Sequence, residues 1–204
     1  SIPGVILAGG RATRMGGGDK GLRLVAGQRL LDRVIARLAP QCRGMALNAN
    51  GDAARFAEFG LPVLPDSLAG FPGPLAGVLA GLDWAAETGA GAIVSVAADT
   101  PFFPADLVAR LQAGAGPAGL CLAASVGEGG RLFRQPTFGL WPVALRHDLR
   151  AALEGGLRKV VIWTDQHHAG QAVFESSPFD PFFNINTPED LGHAARLATA
   201  GGLA

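Results

Sequence analysis

The chain has 204 residues, 49% of them hydrophobic, with 17 basic and 17 acidic side chains and a formal net charge of zero. That length supports one domain with a sizeable core, and the charge balance excludes the basic surface of a general nucleic-acid or anionic-membrane binder. Mean hydropathy is +0.27, yet the longest uncharged runs, Ser67 to Leu82 and Leu111 to Gly127, are broken by Gly and Pro, so no membrane-spanning helix is expected.

The first element is a buried strand, "GVILAG", beginning at Gly4 with no basic, apolar leader before it, so a signal peptide is not expected. A glycine-rich loop follows, "LAGGRATRMGGGDKG", with Arg11 and Arg14 inside it and Asp19-Lys20 at its end. "RLLDRVIARLAP" places Leu30, Leu31, Val34, Ile35 and Leu38 on one helical face and stops at Pro40. "GMALNAN" reads as a second strand, "DAARFAEFG" as a short helix ended by Gly60, and "LPVLPD" as a third strand. "GPLAGVLAGLDWAAETG" starts with Pro in the first turn and ends at Gly89. "AIVSVAAD" is a fourth strand and "PADLVARLQAG" another helix. Continuous apolar strands separated by helices imply a parallel sheet covered on both faces.

Past residue 117 the pattern changes. "GLCLAAS", "QPTFGLWP", "KVVIW" and "QAVFE" read as strand pieces, "VALRHDLRAALEGG" as a helix, and "TPEDLGHAARLATA" as a last helix capped by Thr187 with acids in its first turn. The expectation is a single α/β domain, 1–204. Its twisted sheet is mostly parallel, with an antiparallel strand in the C-terminal half. Residues up to about 117 form a nucleotide-binding half, and 118–204 supply a second binding surface. Cys42 and Cys121 form neither a CxxC pair nor a zinc spacing, which points to a reducing cytoplasm.

The chemistry gathers at strand ends. The glycine loop leaves the C-terminal end of the first strand, where open parallel sheets hold ligands. Glycines admit backbone N–H groups close to an anion, and Lys20, one of only two lysines in the chain, adds a point charge. The loop fits neither GxxxxGK[ST] nor GxGxxG running straight into a helix. Asp99 ends the fourth strand and Thr100-Pro101 breaks it; a lone carboxylate there suits Mg²⁺ bridged to substrate phosphates, although a turn acid would sit there equally well. Asp66 and Asn48 end the third and second strands. Asn184 and Asn186 precede the last helix. His167-His168 lack a spaced third ligand, and no serine sits in a G-x-S-x-G elbow.

"LAGGRATRMGGGDKG" resembles the opening signature of sugar and cofactor nucleotidyltransferases. With "LNAN", "LPDSLAGFPGPLAG", "ADTPFFP" and "NINTPEDL" in this order, nearly the whole chain resembles the molybdenum cofactor guanylyltransferases of the MobA type. The resemblance implies a three-layer Rossmann-like sandwich fold, and transfer of GMP from GTP to the terminal phosphate of molybdenum-bearing molybdopterin, with release of pyrophosphate. Leu7, Ala8, Gly9 and Gly10 would meet the nucleotide through their backbones, and Arg14 and Lys20 would face the triphosphate. Asn48 and Asp66 would bind the nucleoside, with the turn of Pro74, Leu75, Ala76 and Gly77 near guanine. Asp99 would ligate Mg²⁺, and Asn184 and Asn186 would lie by the pterin or the metal. Transient contact with cofactor-insertion proteins is also implied. One departure stands out: several family members have Arg-x-x-His-Pro where this chain reads "RLFRQP", with Gln135 in place of histidine. Three alternatives stay open: a cytidylyltransferase acting on the same cofactor, whose family tends to carry LAAG where Gly9 stands here, a nucleotide-binding module without catalysis, and a glycosyltransferase.

Overall fold

The structure is a computed structural model that describes residues 1–9, 19–71 and 73–200. Seven strands form one sheet: β1 (Gly4–Leu7), β4 (Met45–Asn48), β5 (Val63–Leu64), β6 (Ala92–Ala97), β7 (Cys121–Val126), β8 (Leu132–Pro142) and β9 (Gly170–Glu175). Their order is β5-β4-β1-β6-β8-β7-β9. Every pairing is parallel except those of β8, which runs against both β6 and β7. A two-residue hairpin, β2 (Leu24–Val25) and β3 (Gln28–Arg29), stands apart. The sheet continues across residue 117 without interruption, so both halves of the chain share it.

Among the described residues there are six α-helices, α1 (Leu30–Leu38), α2 (Leu75–Glu87), α3 (Leu107–Ala113), α4 (Arg146–Glu154), α5 (Val160–Gln166) and α6 (Pro188–Ala200), of which the first five pack on the sheet. One core layer joins Leu31, Val34 and Leu38 of α1 and Leu107 and Leu111 of α3 to Ile6, Leu47, Val94 and Val96. On the opposite face Leu75, Val78, Leu79 and Leu82 of α2, Leu149 and Leu153 of α4, and Trp163 of α5 meet Val5, Ile93, Leu122 and Trp141. Alternate residues of each strand thus bury into opposite layers, as a period of two requires. A third, smaller cluster seats α6 on the hairpin through Val25, Leu30, Phe102, Ile185 and Ala194.

Two expectations are corrected. "KVVIW" is not a strand but the start of α5. Val160, Trp163 and Thr164, spaced i, i+3, i+4, are its buried face, and Trp163 stacks on Trp141 at 6.3 Å between centroids. Truncating a buried Trp costs about 3–5 kcal/mol. That packing outweighs the roughly 0.5 kcal/mol per residue by which Val and Ile disfavour a helix. The third strand shrinks to two paired residues at the sheet edge, Val63 and Leu64. "DAARFAEF" forms the expected short helix, of 3-10 type over Ala53–Phe59, ended by Gly60 in the left-handed region, which a Cβ would strain.

The last helix begins as its sequence suggests. Thr187 Oγ1 accepts from the Asp190 backbone N–H at 3.2 Å, and Asp190 Oδ2 accepts from the backbone N–H groups of Asn186 and Thr187 at 2.8 and 2.9 Å. This reciprocal capping fixes the segment carrying Asn184 and Asn186. Those N–H donors, Asn186 foremost, hold the Asp190 carboxyl below its ordinary value. No helix among the described residues is long and apolar enough to cross a membrane.

Candidate functional site

Strand order reverses at β1: the chain adds β4 and β5 on one side, then returns to place β6 on the other. Ligands of open α/β sheets bind beyond the carboxyl ends of the strands flanking such a reversal. Register aligns those ends. Leu7 pairs with Asn48 and with Ala97, and Asn48 pairs with Leu64. The chain therefore leaves the sheet at one edge four times, through Ala8-Gly9, Ala49-Asn50, Asp66 and Asp99.

A cleft of about 750 Å³ opens there. It is lined by Leu7, Ala8, Gly9, Asn48, Asp66, Pro74, Asp99 and Asn184 of the sequence candidates, so residues spread over 178 positions converge on one volume. Leu75 and Ala76 do not line it; they are buried in the first turn of α2. Gly77 faces Asn48, and a Cβ built on it would lie 2.2 Å from Asn48 Oδ1 and 3.0 Å from Leu7 Cδ2. Gly10 and Arg14 lie outside the described residues. Lys20 opens a short 3-10 turn, Lys20–Leu22.

Asn48, only 3% exposed, is committed to the protein. Its Nδ2 donates to the Leu64 carbonyl at 3.1 Å and to Asp66 Oδ1 at 3.0 Å. Asn50 completes a clamp: its Nδ2 donates to Asp66 Oδ2 at 3.0 Å, and its Oδ1 accepts from the Asp66 backbone N–H at 2.8 Å. Two amides thus fix both oxygens of one carboxylate. Asn48 thus positions Asp66 through the donors of its amide, and it lines the cleft beside it. Asn50 was missed in the sequence, although the N-x-N repeat of "LNAN" places both amides on the same side of an extended chain.

Asp99 is joined to the C-terminal segment. Its carbonyl accepts from the Ile185 backbone N–H at 2.9 Å. The Thr100 hydroxyl donates to Asn184 Oδ1 at 2.7 Å and lies 3.0 Å from Asp99 Oδ1. Asn184 borders a second cleft, again about 750 Å³, with Ser125, Phe133, Gln135, Glu175 and Phe182 around it. Asn186 lines neither cleft; its backbone is held by Asp190. Gln135 donates to Ser125 Oγ at 3.1 Å.

A bulge in β8 separates the two clefts. Pairing jumps from Leu122–Gly139 to Ala123–Gln135, leaving Pro136, Thr137 and Phe138 unpaired with β7. The bulge is pinned from below, since Ser95 Oγ donates to the Thr137 carbonyl at 2.8 Å and accepts from Trp141 Nε1 at 2.7 Å. Thr137 thereby reaches the first cleft while Gln135 stays in the second. Bulges re-aim side chains in this way beside active sites. Sequence alone offered no signal for it.

Among the described residues no group of three or more His, Cys, Asp or Glu is gathered to hold a metal. Asp99 and Asp66 offer carboxylates in the first cleft. Such a donor set fits an ion that keeps water and phosphate ligands better than one held in a protein cage. His167 is engaged elsewhere: its Nε2 lies 2.7 Å from Asp148 Oδ1, which also accepts from Trp163 Nε1. The Trp163 N–H, with His167 beside it, holds the Asp148 carboxyl below its usual range.

Residues 4–169 match the family model of the MobA-like NTP transferase domain. The chain is 55% identical over 203 residues to a molybdenum cofactor guanylyltransferase of Bradyrhizobium sp. (strain ORS 278), covering 97% of this chain and 93% of that protein. It is 54% identical over 203 residues to one of Rhodopseudomonas palustris (strain BisB5), covering 97% and 94%. Among solved structures, molybdopterin-guanine dinucleotide biosynthesis protein A from Archaeoglobus fulgidus superposes with a TM-score of 0.72 at 21% identity, over 98% of this chain and all of that one. A 2-C-methyl-D-erythritol 4-phosphate cytidylyltransferase from Thermus thermophilus reaches 0.69 at 21% identity, over 98% and 99%. Both structures show the shared fold.

Proposed function

The chain belongs to the MobA-like NTP transferase family, and on that premise we propose that it transfers GMP from GTP to the terminal phosphate of molybdenum-bearing molybdopterin. The products are the molybdopterin guanine dinucleotide and pyrophosphate. The names of relatives more than half identical over nearly their whole length support the donor and the acceptor. The observation that carries the reading is the junction at Asn184, which borders both clefts. There the first cleft, walled by the strand ends and the loop after Asp66, meets the second cleft. A two-substrate transfer needs two such spaces with one shared edge.

The chemistry asks little of the protein in proton transfer. The acceptor's phosphate, with a second pKa of about 6, is ionised at neutral pH, so no general base is required. One of its oxygens forms a bond to the α-phosphorus of GTP, and the bond from that phosphorus to the β-phosphate oxygen breaks, releasing pyrophosphate. Positioning and charge neutralisation then carry catalysis. The backbone of Leu7 to Gly9, continuing into Gly10, cradles phosphate, with Arg14 and Lys20 as its cations. Asp66, held by Asn48 and Asn50, orients the nucleoside. The loop through Gly73 and Pro74, lined without charge on the cleft side, receives the base. Asp99 holds Mg²⁺, which when bound offsets charge on the phosphates. Asn184 and Thr137 stand where the acceptor phosphate would cross between the clefts.

Two free thiols fit a reducing compartment, and the proposed place of action is the cytoplasm, with transient hand-over of the labile product to cofactor-insertion proteins. The deciding experiment is pyrophosphate release with molybdate-loaded molybdopterin and Mg²⁺, run in parallel with GTP, CTP, ATP and UTP. Release with GTP alone supports the proposal. Release with CTP overturns the base assignment, and nucleotide binding without release under any condition overturns the transferase reading.

A further inference from the structure

The signature loop ends in Asp19-Lys20, and the proposed reaction uses the lysine while leaving the aspartate without a role. Asp19 lines the nucleotide cleft. A carboxylate in that place invites assignment as a second metal ligand, yet it is already paired: Asp19 Oδ2 lies 2.7 Å from Arg55 Nε, and the two side chains are only 24% and 29% exposed. Arg55 arrives from the 3-10 helix after β4, 36 residues away. Its other nitrogens donate to the backbone carbonyls of Asn50, at 2.7 Å, and Asp52. Its guanidinium lies over the Phe56 ring, 4.4 Å from the centroid, and Phe56 is buried in the core. Asn50, whose carbonyl Arg55 grips, is the residue whose amide clamps Asp66.

We propose that Arg55 is a positioning residue that fastens the downstream end of the phosphate-side loop, at Asp19, to the segment that holds Asp66. The phosphate side and the nucleoside side of the cleft are then set by one guanidinium, and Asp19 is an anchor and not a metal ligand. The inference rests on the nucleotide reading of the first cleft and is independent of the acceptor and of the base. A planar fork suits the task because three acceptors lie around it in different directions. A lysine, one compact charge, reaches Asp19 and forfeits the two carbonyls.

The test compares wild type with Arg55→Ala, Arg55→Lys, Asp19→Asn and the Arg55→Ala/Asp19→Asn double variant. Calorimetry gives the Kd for GTP with Mg²⁺, steady-state assays split KM from kcat, and thermal unfolding reports folding. Misplacing a reacting group by about 1 Å costs up to about 10²-fold. Arg55→Ala is therefore expected to weaken GTP binding and lower kcat/KM by roughly 10- to 100-fold, with Arg55→Lys in between. The double variant should be no worse than Arg55→Ala, and the Mg²⁺ concentration for half-maximal activity should stay at the wild-type value in all four. Wild-type GTP affinity and kcat/KM in Arg55→Ala would overturn the inference. So would multiplicative losses in the double variant together with a raised Mg²⁺ requirement in Asp19→Asn, which would make Asp19 a metal ligand. A wild-type protein that binds GTP but releases no pyrophosphate defeats the proposed reaction alone, because the binding arm still decides the role of Arg55.

Discussion

Gly77→Ala offers a sharp separation of packing from site geometry. The added methyl would fall 2.2 Å from Asn48 Oδ1 and 2.9 Å from Asn48 Cγ, inside any real contact distance. Asn48 is buried and tied to both Leu64 and Asp66, so it yields only by breaking one of those bonds. Overpacking costs about 1–3 kcal/mol, and a lost hydrogen bond about 1 kcal/mol more. Replacing Gly by Ala within a helix returns about 1 kcal/mol. The net loss is about 1–3 kcal/mol, and each kcal/mol lowers Tm by roughly 2–4 °C in a chain of this size. Gly81→Ala, one turn further along α2, is the control. Its methyl would meet Ile93 Cδ1 at 2.7 Å and Val5 Cγ2 at 2.9 Å, apolar groups remote from Asp66. Both variants should lose comparable stability in urea unfolding, but only Gly77→Ala should also weaken GTP binding in calorimetry, because only it frees one arm of the Asp66 clamp. Wild-type GTP affinity in a destabilised Gly77→Ala protein would refute the claim that Asn48 holds Asp66 for the nucleotide.

Three further outcomes are expected. Asp99→Ala should lower kcat by at least about a hundredfold, as removal of a charge-stabilising group does elsewhere; near-normal pyrophosphate release in Mg²⁺ would remove Asp99 from the reaction. Asp190→Asn should destabilise the fold by about 0.3–1 kcal/mol at pH 7, from loss of a carboxylate at a helix N-terminus. The Asp190 pKa is depressed in the folded state, so its contribution is present above the unfolded value near 3.8 and is lost as pH falls through the folded one; urea titrations should find the gap between variant and wild type closing below about pH 4. Burial pushes the Cys42 thiol up to about 12 and the Cys121 thiol up to about 11, so both should resist thiol reagents at pH 8 in the native protein and react once urea unfolds it.

Much of the fold was legible because its cues are local. "GVIL", "MALN" and "AIVSVA" are apolar runs of strand length, α1 shows its buried stripe at helical spacing, and Thr187-Pro188 announces α6 through capping chemistry. The convergence of Gly9, Asp66 and Asp99 on one cleft was legible for a related reason: parallel strands all end at one edge, so the residues closing each apolar run are bound to gather there. "KVVIW" failed because its four apolar residues after Lys159, three of them β-branched, satisfy either period, and only Trp141 across the interface decides for the helix.

What the sequence by itself determined, then, is the order of elements, the edge of the sheet where chemistry collects, and the residue types offered there. What only the tertiary structure decided is which of those residues face the cleft and which hold the others. Asn48 turned out to be a clamp, Asn50 its partner, Gly77 the space that admits it, and Asp19 the mate of Arg55. The β8 bulge that sends Thr137 into one cleft and leaves Gln135 in the other is likewise a matter of register. The physical reason is common to all of them. Periodicity and capping act over a few residues, whereas each of these contacts joins segments more than ten residues apart and exists only once the sheet has fixed their register.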